Sequence, residues 1–265
     1  MANVTGRRIP LSLPRRWIDD LMRASRGRPI ISFERRMNLA PLIAARKVNR
    51  ISWTVLFAKA YGILCTRRPE LRRAYVSWPW PHLFESDMIL PSIAIERKYE
   101  GESAVFFGIY REPHTHTLAV MQHGLEGWKN RPIANVKQFQ RLIWYTRFPR
   151  HLRRLLWWYA ITSSGQRRAR NCGTFGISST AATGSTALNL ISPVATSINY
   201  TPLEPDGSLT VRLHFDHRVM DGLTAASVLD ELELILNGEI RDELTRVVPG
   251  EAVTESQSLE CVYQQ

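Results

Sequence analysis

The sequence predicts an α/β fold, a two-layer sandwich in which helices flank one large mixed sheet. Segments with the two-residue period of strands alternate with segments at helical spacing along the whole chain. A Pro-Asp-Gly turn at residues 205–207 introduces the clearest strand, whose apolar side chains alternate in sequence: Leu209, Val211, Leu213 and Phe215. No linker divides the 265 residues, and this length suffices to bury one large core.

The first half of the chain opens with a helix. It begins after Leu13-Pro14, because proline suits a first helical turn and apolar residues follow at helical spacing. The other elements expected here are a strand at 29–33, a short helix at 42–46, a longer helix at 52–65, a loop at 78–81, and strands at 89–96 and 103–110 paired around Gly101.

The second half adds strands on either side of a basic helical segment. A helix is expected at 117–128, followed after the basic segment by strands at 175–178 and 194–200 and a hairpin arm at 209–215. A last helix follows Gly222 and is expected to stop at Asn237-Gly238. We expect residues 1–8 to be a basic extension, 9–248 the main folded domain, and 249–265 a flexible polar tail.

Composition is that of an ordinary globular protein, with 44% hydrophobic and 22% charged residues. The apolar runs are too short to span a bilayer, and the first thirty residues contain no secretory signal. Three scattered cysteines predict neither a disulfide framework nor a zinc cluster. We therefore expect a cytoplasmic protein, with peripheral attachment to a membrane as an open alternative.

The segment from about 135 to 170 supplies most of the net charge of +11, because it holds nine Lys or Arg residues and no acidic residue. Two amphipathic helices divided by Pro149 are expected there. Five residues are candidate contacts to a membrane or a partner: Arg150, Arg153, Arg154, Trp157 and Trp158. Packing on the protein's own domain or on a neighbouring subunit is the open alternative. Nucleic acid is not an expected partner, since no binding module accompanies the charge.

The segment Leu-His-Phe-Asp-His-Arg-Val-Met-Asp-Gly, residues 213–222, carries the clearest chemical signal. His217 stands at the end of a predicted strand, where its neutral imidazole could take a proton from a thiol or hydroxyl. Asp221 could hold the loop by pairing with an arginine, and Gly222 allows a backbone conformation that other residues resist. A histidine in an ordinary polar turn is the simpler alternative.

The motif closely resembles the signature of the catalytic domain of 2-oxo acid dehydrogenase acyltransferases, the dihydrolipoamide acyltransferase family. Chloramphenicol acetyltransferase shares that fold and the shorter His-x-x-x-Asp-Gly form. Further stretches resemble the family in the right order between residues 8 and 240: Ile9-Pro-Leu-Ser-Leu-Pro-Arg-Arg, Leu42-Ile-Ala-Ala-Arg, the helix that ends in Arg-Pro-Glu-Leu, and Gly173-Thr-Phe-Gly-Ile-Ser. The resemblance implies a chloramphenicol acetyltransferase-like fold.

The resemblance also implies roles for individual residues. His217 matches the general base, Ser178 matches the serine that stabilises the oxyanion, and Ser179 is an alternative donor. Asp221 matches the aspartate of the motif. Structural support of the site is expected from Arg15, or the adjacent Arg16, and from Asp216, Arg218 and Gly222. The family's site lies between subunits, so the resemblance implies a homotrimer in which acyl-CoA and acceptor enter opposite ends of a channel.

The expected function is transfer of an acyl group from an acyl thioester to a thiol, hydroxyl or amine acceptor, with coenzyme A or acyl-CoA as substrate. No lipoyl segment is recognised in cis, and a basic segment is inserted before the serine strand, so the acceptor stays open. Two alternatives remain: a membrane-surface enzyme with a lipid or hydrophobic acceptor, and a non-catalytic trimeric scaffold. His114, His116 and His123 lack further ligands, so no metal is expected.

Overall fold

A six-stranded mixed sheet forms the centre of the structure, a computed structural model that describes residues 7–246 and 260–262. Its strands are β1 (Ile30–Asn38), β4 (Pro91–Tyr99), β5 (Glu102–Ile109), β6 (Phe175–Ile177), β7 (Thr196–Tyr200) and β8 (Ser208–Asp216). Their order is β1-β8-β7-β6-β4-β5. β6 is parallel to both neighbours and the other pairs are antiparallel, which confirms the predicted mixed sheet.

One face of the sheet carries the main hydrophobic core. The apolar positions predicted on β8 are all buried there, at Leu209, Val211, Leu213 and Phe215. The helices packed against this core are α2 (Ala40–Asn49), α3 (Trp53–Arg67), α4 (Leu118–Asn130) and α8 (Gly222–Ile235). Ten of the fifteen residues of α3 are buried, which explains why most of its sequence is apolar.

The opposite face bears one continuous row of paired positions. Across the sheet this row reads Ser32, His214, Ser197, Gly176, Ser92 and Ile109. Around its β4–β5 end stand α1 (Leu13–Ala24), α5 (Lys137–Thr146), α6 (Arg150–Ile161) and α7 (Gly165–Cys172). At the other end Ser32 and Glu34 of β1 stay exposed. The two ends of this face therefore have different surroundings.

A small second sheet was not foreseen from the sequence. β2 (Arg73–Val76) pairs with β3 (His82–Glu85), and the predicted loop at 78–81 connects them. Neither strand has more than four residues, so neither shows a period long enough to recognise.

The last helix does not stop at Asn237-Gly238. α8 continues through one turn of π-helix, Leu236–Ile240, into α9 (Arg241–Arg246). Leu236, Ile240 and Leu244 are fully buried, and this burial outweighs the roughly 1 kcal/mol that a glycine costs inside a helix.

The predicted flexible tail is wrong for residues 260–262. Cys261 is fully buried, and its carbonyl accepts a hydrogen bond from the Arg111 amide at 2.7 Å. Val262 forms a β-bridge with Tyr110, directly after β5. These contacts fix the segment against the sheet edge. The rest of the predicted tail, and most of the predicted basic extension at 1–8, lie outside the described residues.

Candidate active site

The turn after β8 sets the position and tautomer of His217. Its amide donates to the Pro29 carbonyl at 2.9 Å, and its Nδ1 lies 3.1 Å from the Met220 carbonyl oxygen. Because a carbonyl can only accept, Nδ1 carries the proton and Nε2 keeps its lone pair. The ring is half exposed, so a substrate can reach it. The arrangement provides an oriented base at the end of a strand.

The arginine pair that stabilises this turn involves Asp216, not Asp221 as predicted. Arg218 donates from Nε and from a terminal nitrogen to the two oxygens of the buried Asp216, at 2.9 and 2.6 Å. Its guanidinium also lies 4.1 Å from the centre of the Tyr75 ring. Hydrogen bonding to Asp216 raises the pKa of Arg218. This bidentate pair holds the backbone that carries His217.

Asp221 lies beside His217 without binding it. Its side chain is 85% exposed, and its Oδ1 is 3.7 Å from His217 Nδ1, which is too long for a hydrogen bond. Its carbonyl accepts from the Ala225 amide at 3.0 Å and so begins α8. Within one chain Asp221 is therefore a neighbour of His217 and not its hydrogen-bond partner.

Gly222 is required for space and not for its backbone angles. It is absent from the glycines with positive φ. A Cβ added there would lie 2.7 Å from Cζ of the Phe33 ring, which packs on Phe215. The expectation of an unusual backbone conformation was therefore wrong, and close packing against β1 is the physical reason for the glycine.

Ser178, rather than Ser179, has the available hydroxyl. Its amide donates to the Ile198 carbonyl at 3.1 Å, and among residues 7–246 and 260–262 its hydroxyl has no hydrogen-bond partner. Ser179 Oγ accepts from the Ala181 amide at 3.2 Å and reaches the Tyr200 carbonyl at 3.5 Å. The two adjacent serines, which the sequence alone does not distinguish, thus differ in the hydrogen bonds of their hydroxyl groups.

The sheet register keeps His217 and Ser178 apart within one chain. Ser178 follows β6 beside Asn199, near the end of β7, whereas His217 follows β8 beyond the start of β7. The separation is roughly 15 Å along the strands and about 10 Å across two strand spacings. No side chain spans that distance, so one copy of the chain does not bring the two residues together.

A cavity of about 420 Å³ opens beside Ser178. Its floor is the sheet face that carries Ser92, Gly176 and Ser197, and its walls are helices α5 and α6. The volume lies within the range of about 300–1,000 Å³ usual for small-molecule sites. Sequence reasoning missed this cavity, because the residues that line it come from segments that are far apart in the chain.

Two of the five predicted membrane contacts have other roles. Arg153 is only 7% exposed, and its Nε donates to Asp20 Oδ2 of α1 at 2.6 Å. Trp157 is half-buried and lines the cavity. Arg150 and Trp158 are exposed and Arg154 partly so, as a surface role requires. Sequence periodicity could not show that Arg153 has a buried partner 133 positions away.

Arg15 does not support the site within one chain. Its Nε donates to Glu102 Oε1 at 2.9 Å, at the start of edge strand β5. The alternative, Arg16, donates to the Leu11 carbonyl at 3.0 Å. β5 and β8 are separated by three strands, so neither arginine reaches His217.

His214 is a buried polar residue that sequence reasoning passed over. Its Nδ1 is 2.7 Å from Ser32 Oγ, and its Nε2 is 3.4 Å from Asn199 Oδ1. Burial, with a smaller effect of Arg212, lowers its pKa to about 4, so it is neutral at pH 7. The sequence pattern did indicate the orientation of this residue. His214 alternates with the apolar positions of β8, so its side chain had to lie on the opposite face of the sheet.

The described part of the chain shows neither a metal-binding cluster nor a membrane-spanning helix. Across residues 7–246 and 260–262, no three His, Cys, Asp or Glu side chains are grouped to hold a metal ion. His114 lies near Glu112, at 3.6 Å. In the same residues no helix has the length and apolar character needed to cross a membrane.

Comparisons with known proteins identify the fold. No family model and no curated protein matches the chain. A dihydrolipoamide acetyltransferase from Azotobacter vinelandii matches with a TM-score of 0.63 and 17% identity, over 91% of this chain and 94% of that one. A probable dihydrolipoamide acetyltransferase from Listeria monocytogenes matches at 0.56 and 17%, over 94% and 98%. A truncated catalytic core of the 2-oxoacid dehydrogenase complex from Thermoplasma acidophilum matches at 0.61 and 14%, over 88% and 99%.

The sheet and its helices therefore have the same fold as acyltransferase catalytic cores. In particular, the chain has the fold of the catalytic cores of dihydrolipoamide acetyltransferases, as the sequence resemblance implied. At 14–17% identity this likeness establishes the fold, while the chemistry depends on the residues themselves.

Proposed function

We propose that the protein is a coenzyme-A-dependent acyltransferase that moves an acyl group from a thioester to a thiol, hydroxyl or amine. The observation that carries this proposal is a pair of groups that have no partner within residues 7–246 and 260–262: Nε2 of His217, and the hydroxyl of Ser178 beside the cavity. In the Azotobacter vinelandii enzyme, a serine, a histidine and an asparagine have roles in the catalytic mechanism. The asparagine follows the histidine by four positions. His217 and Asp221 have the same spacing, with aspartate in place of asparagine.

In the proposed reaction His217 Nε2 takes the proton of the acceptor as the acceptor attacks the thioester carbonyl carbon. The Ser178 hydroxyl donates to the oxyanion of the tetrahedral intermediate. The intermediate then collapses, the carbon–sulfur bond breaks, and the imidazolium returns the proton to the departing thiolate of coenzyme A. The Met220 carbonyl keeps Nδ1 protonated throughout, so Nε2 is the nitrogen that takes and returns the proton.

We further propose that the site forms between copies of the chain in a homotrimer. The separation of His217 and Ser178 by the sheet register supports this, since the chemistry needs both at one carbonyl group. A head-to-tail contact that closes after three copies gives three equivalent sites, each with histidine from one copy and serine from the next. Asp216 and Arg218 keep the turn that carries His217 in place.

Purified protein tests the function directly. It is incubated with acetyl-CoA and longer acyl-CoA donors and with thiol, hydroxyl and amine acceptors, among them dihydrolipoamide, and the products are read by mass spectrometry. We expect acylated acceptor and free coenzyme A at a turnover of about 1–10³ per second. An intact trimer that converts no donor with any acceptor would instead identify a scaffold.

A membrane-surface enzyme is the second candidate, favoured by one exposed patch. Trp158, Trp78 and Leu155 are 43%, 54% and 59% exposed, and the two indole rings lie 6.0 Å apart. Arg150 and Arg154 occupy the same side of α6 as Trp158, at helical spacing. Exposed aromatic rings beside arginines suit an anionic lipid surface.

Co-sedimentation with phosphatidylcholine vesicles, with and without phosphatidylserine, tests this candidate. Changing both Arg150→Gln and Arg154→Gln is expected to weaken binding to the anionic vesicles about 30-fold, from about 1 kcal/mol per charge. Arg36→Gln, an exposed arginine of β1, is the matched control. Deleting residues 135–170 is unsuitable, because it removes the cavity walls and the partner of Asp20. Equal partitioning of all variants eliminates the membrane role.

A further inference from the structure

We infer that the cavity beside Ser178 binds the hydrocarbon chain of an acyl donor, so that the enzyme prefers medium-length apolar acyl groups to acetyl. This inference rests on the proposed function and adds the substrate class to it. It also gives the basic segment at 135–170 a role in the chemistry, because that segment builds the walls of the cavity.

The floor of the cavity is open because its side chains are small. Ser92, Gly176 and Ser197 are neighbours in the register row that crosses the sheet. A Cβ at position 176 would lie 2.9 Å from Ser197 Oγ, so glycine at this position leaves the floor of the cavity free of a side chain. Ala94 continues the same surface on β4. The sheet therefore leaves space where larger residues would fill it.

The walls of the cavity are mainly apolar. The apolar side chains that the inserted helices contribute include Leu142, Leu156, Trp157, Ala160 and Ile161. Three polar groups in the wall engage one another: a terminal nitrogen of Arg141 donates to Asn171 Oδ1 at 3.1 Å and lies 3.4 Å from the Tyr145 hydroxyl. Gln138 Oε1 accepts from the Ile109 amide at 3.0 Å. A ligand that enters must therefore be satisfied chiefly by apolar contact.

The position of Ser178 selects which part of a thioester enters. If its hydroxyl binds the carbonyl oxygen, the carbonyl carbon stands at the cavity mouth with two substituents. The thiol arm of coenzyme A carries amides and phosphates, which need polar partners or water. The acyl chain needs neither. Each buried methylene strengthens binding about fourfold, so chain length should raise affinity until the cavity is full.

A matched pair of variants on α6 tests the inference. Leu156 lines the cavity, whereas its neighbour Leu155 is exposed and is not part of the lining. Leu156→Trp should fill the cavity, and Leu155→Trp adds the same ring at the surface. Calorimetry measures the affinity of each protein for decanoyl-CoA and for acetyl-CoA. Thermal unfolding checks that each variant folds, and Ala160→Leu replaces Leu156→Trp if that variant does not.

Wild-type protein is expected to bind decanoyl-CoA at least about 100-fold more tightly than acetyl-CoA. Leu156→Trp should reduce that preference at least about tenfold with acetyl-CoA affinity kept, and Leu155→Trp should retain it. Equal affinity of wild-type protein for the two donors overturns the inference, as does an equal effect of the two tryptophan variants.

Transfer assays on the same proteins separate this inference from the proposed function. One outcome is that wild-type protein binds longer donors more tightly, that Leu156→Trp abolishes this preference, and that no acceptor is acylated. This outcome supports the cavity assignment and overturns the proposed function. Efficient transfer of acetyl with no gain for decanoyl keeps the function and overturns the cavity assignment.

Discussion

His217→Ala lowers kcat/KM for acyl transfer about 10²- to 10⁴-fold, which is the usual contribution of a positioned general base. Loss of the imidazole leaves the acceptor proton without a base at the reacting carbonyl. The turn should survive, because the bidentate Asp216–Arg218 pair and the His217 amide bond to Pro29 do not involve the imidazole. Steady-state kinetics of purified protein measures the loss.

The matched control is His82→Ala, which removes an exposed histidine of β3. It should keep wild-type turnover, and size-exclusion chromatography should show one assembly state for wild type and both variants. Undiminished turnover in His217→Ala would refute the role of the base. Loss of assembly in that variant alone would assign His217 to the subunit contact instead.

Ser178→Ala is expected to lower kcat about 10²- to 10³-fold with little change in KM, because an oxyanion donor acts in the transition state. Ser179→Ala is the matched control in the adjacent position and should stay within a few-fold of wild type. The Ser179 hydroxyl is already bound to backbone groups, whereas the Ser178 hydroxyl has no partner in the part of the chain that the structure describes. The reverse result would transfer the role to Ser179.

Mixing the two inactive variants tests whether the site is shared. Co-expressed His217→Ala and Ser178→Ala chains should regain about a quarter of wild-type activity, because one contact in four joins an intact histidine to an intact serine. If the activity stays at the level of the separate variants, both residues act within one chain, which would contradict their separation by the sheet register.

Local patterns were enough to predict the sheet and the position of His217. The alternation on β8 and the turn before it need only neighbouring residues, and they placed the histidine at a strand end. The choice between Ser178 and Ser179 depends on Ala181 and Tyr200, which engage only one of them. That distinction arises from tertiary structure, so no local pattern contains it.

The basic segment shows why the cavity and the burial of Arg153 could not be predicted from the sequence. Its helices and the break at Pro149 were predictable from spacing. The burial of Arg153 depends on Asp20, and the cavity depends on small residues of strands that lie far away in sequence. An amphipathic pattern reports that a helix has two sides but not what covers each of them.

The distance between His217 and Ser178 has a genetic consequence. If each site draws on two copies, every copy serves two of the three sites in a trimer. A single copy that lacks both residues would then silence two sites while its partners remain intact. Defective alleles of such a protein would act dominantly in a mixed population of chains, and the wild-type copies would not compensate in proportion to their number.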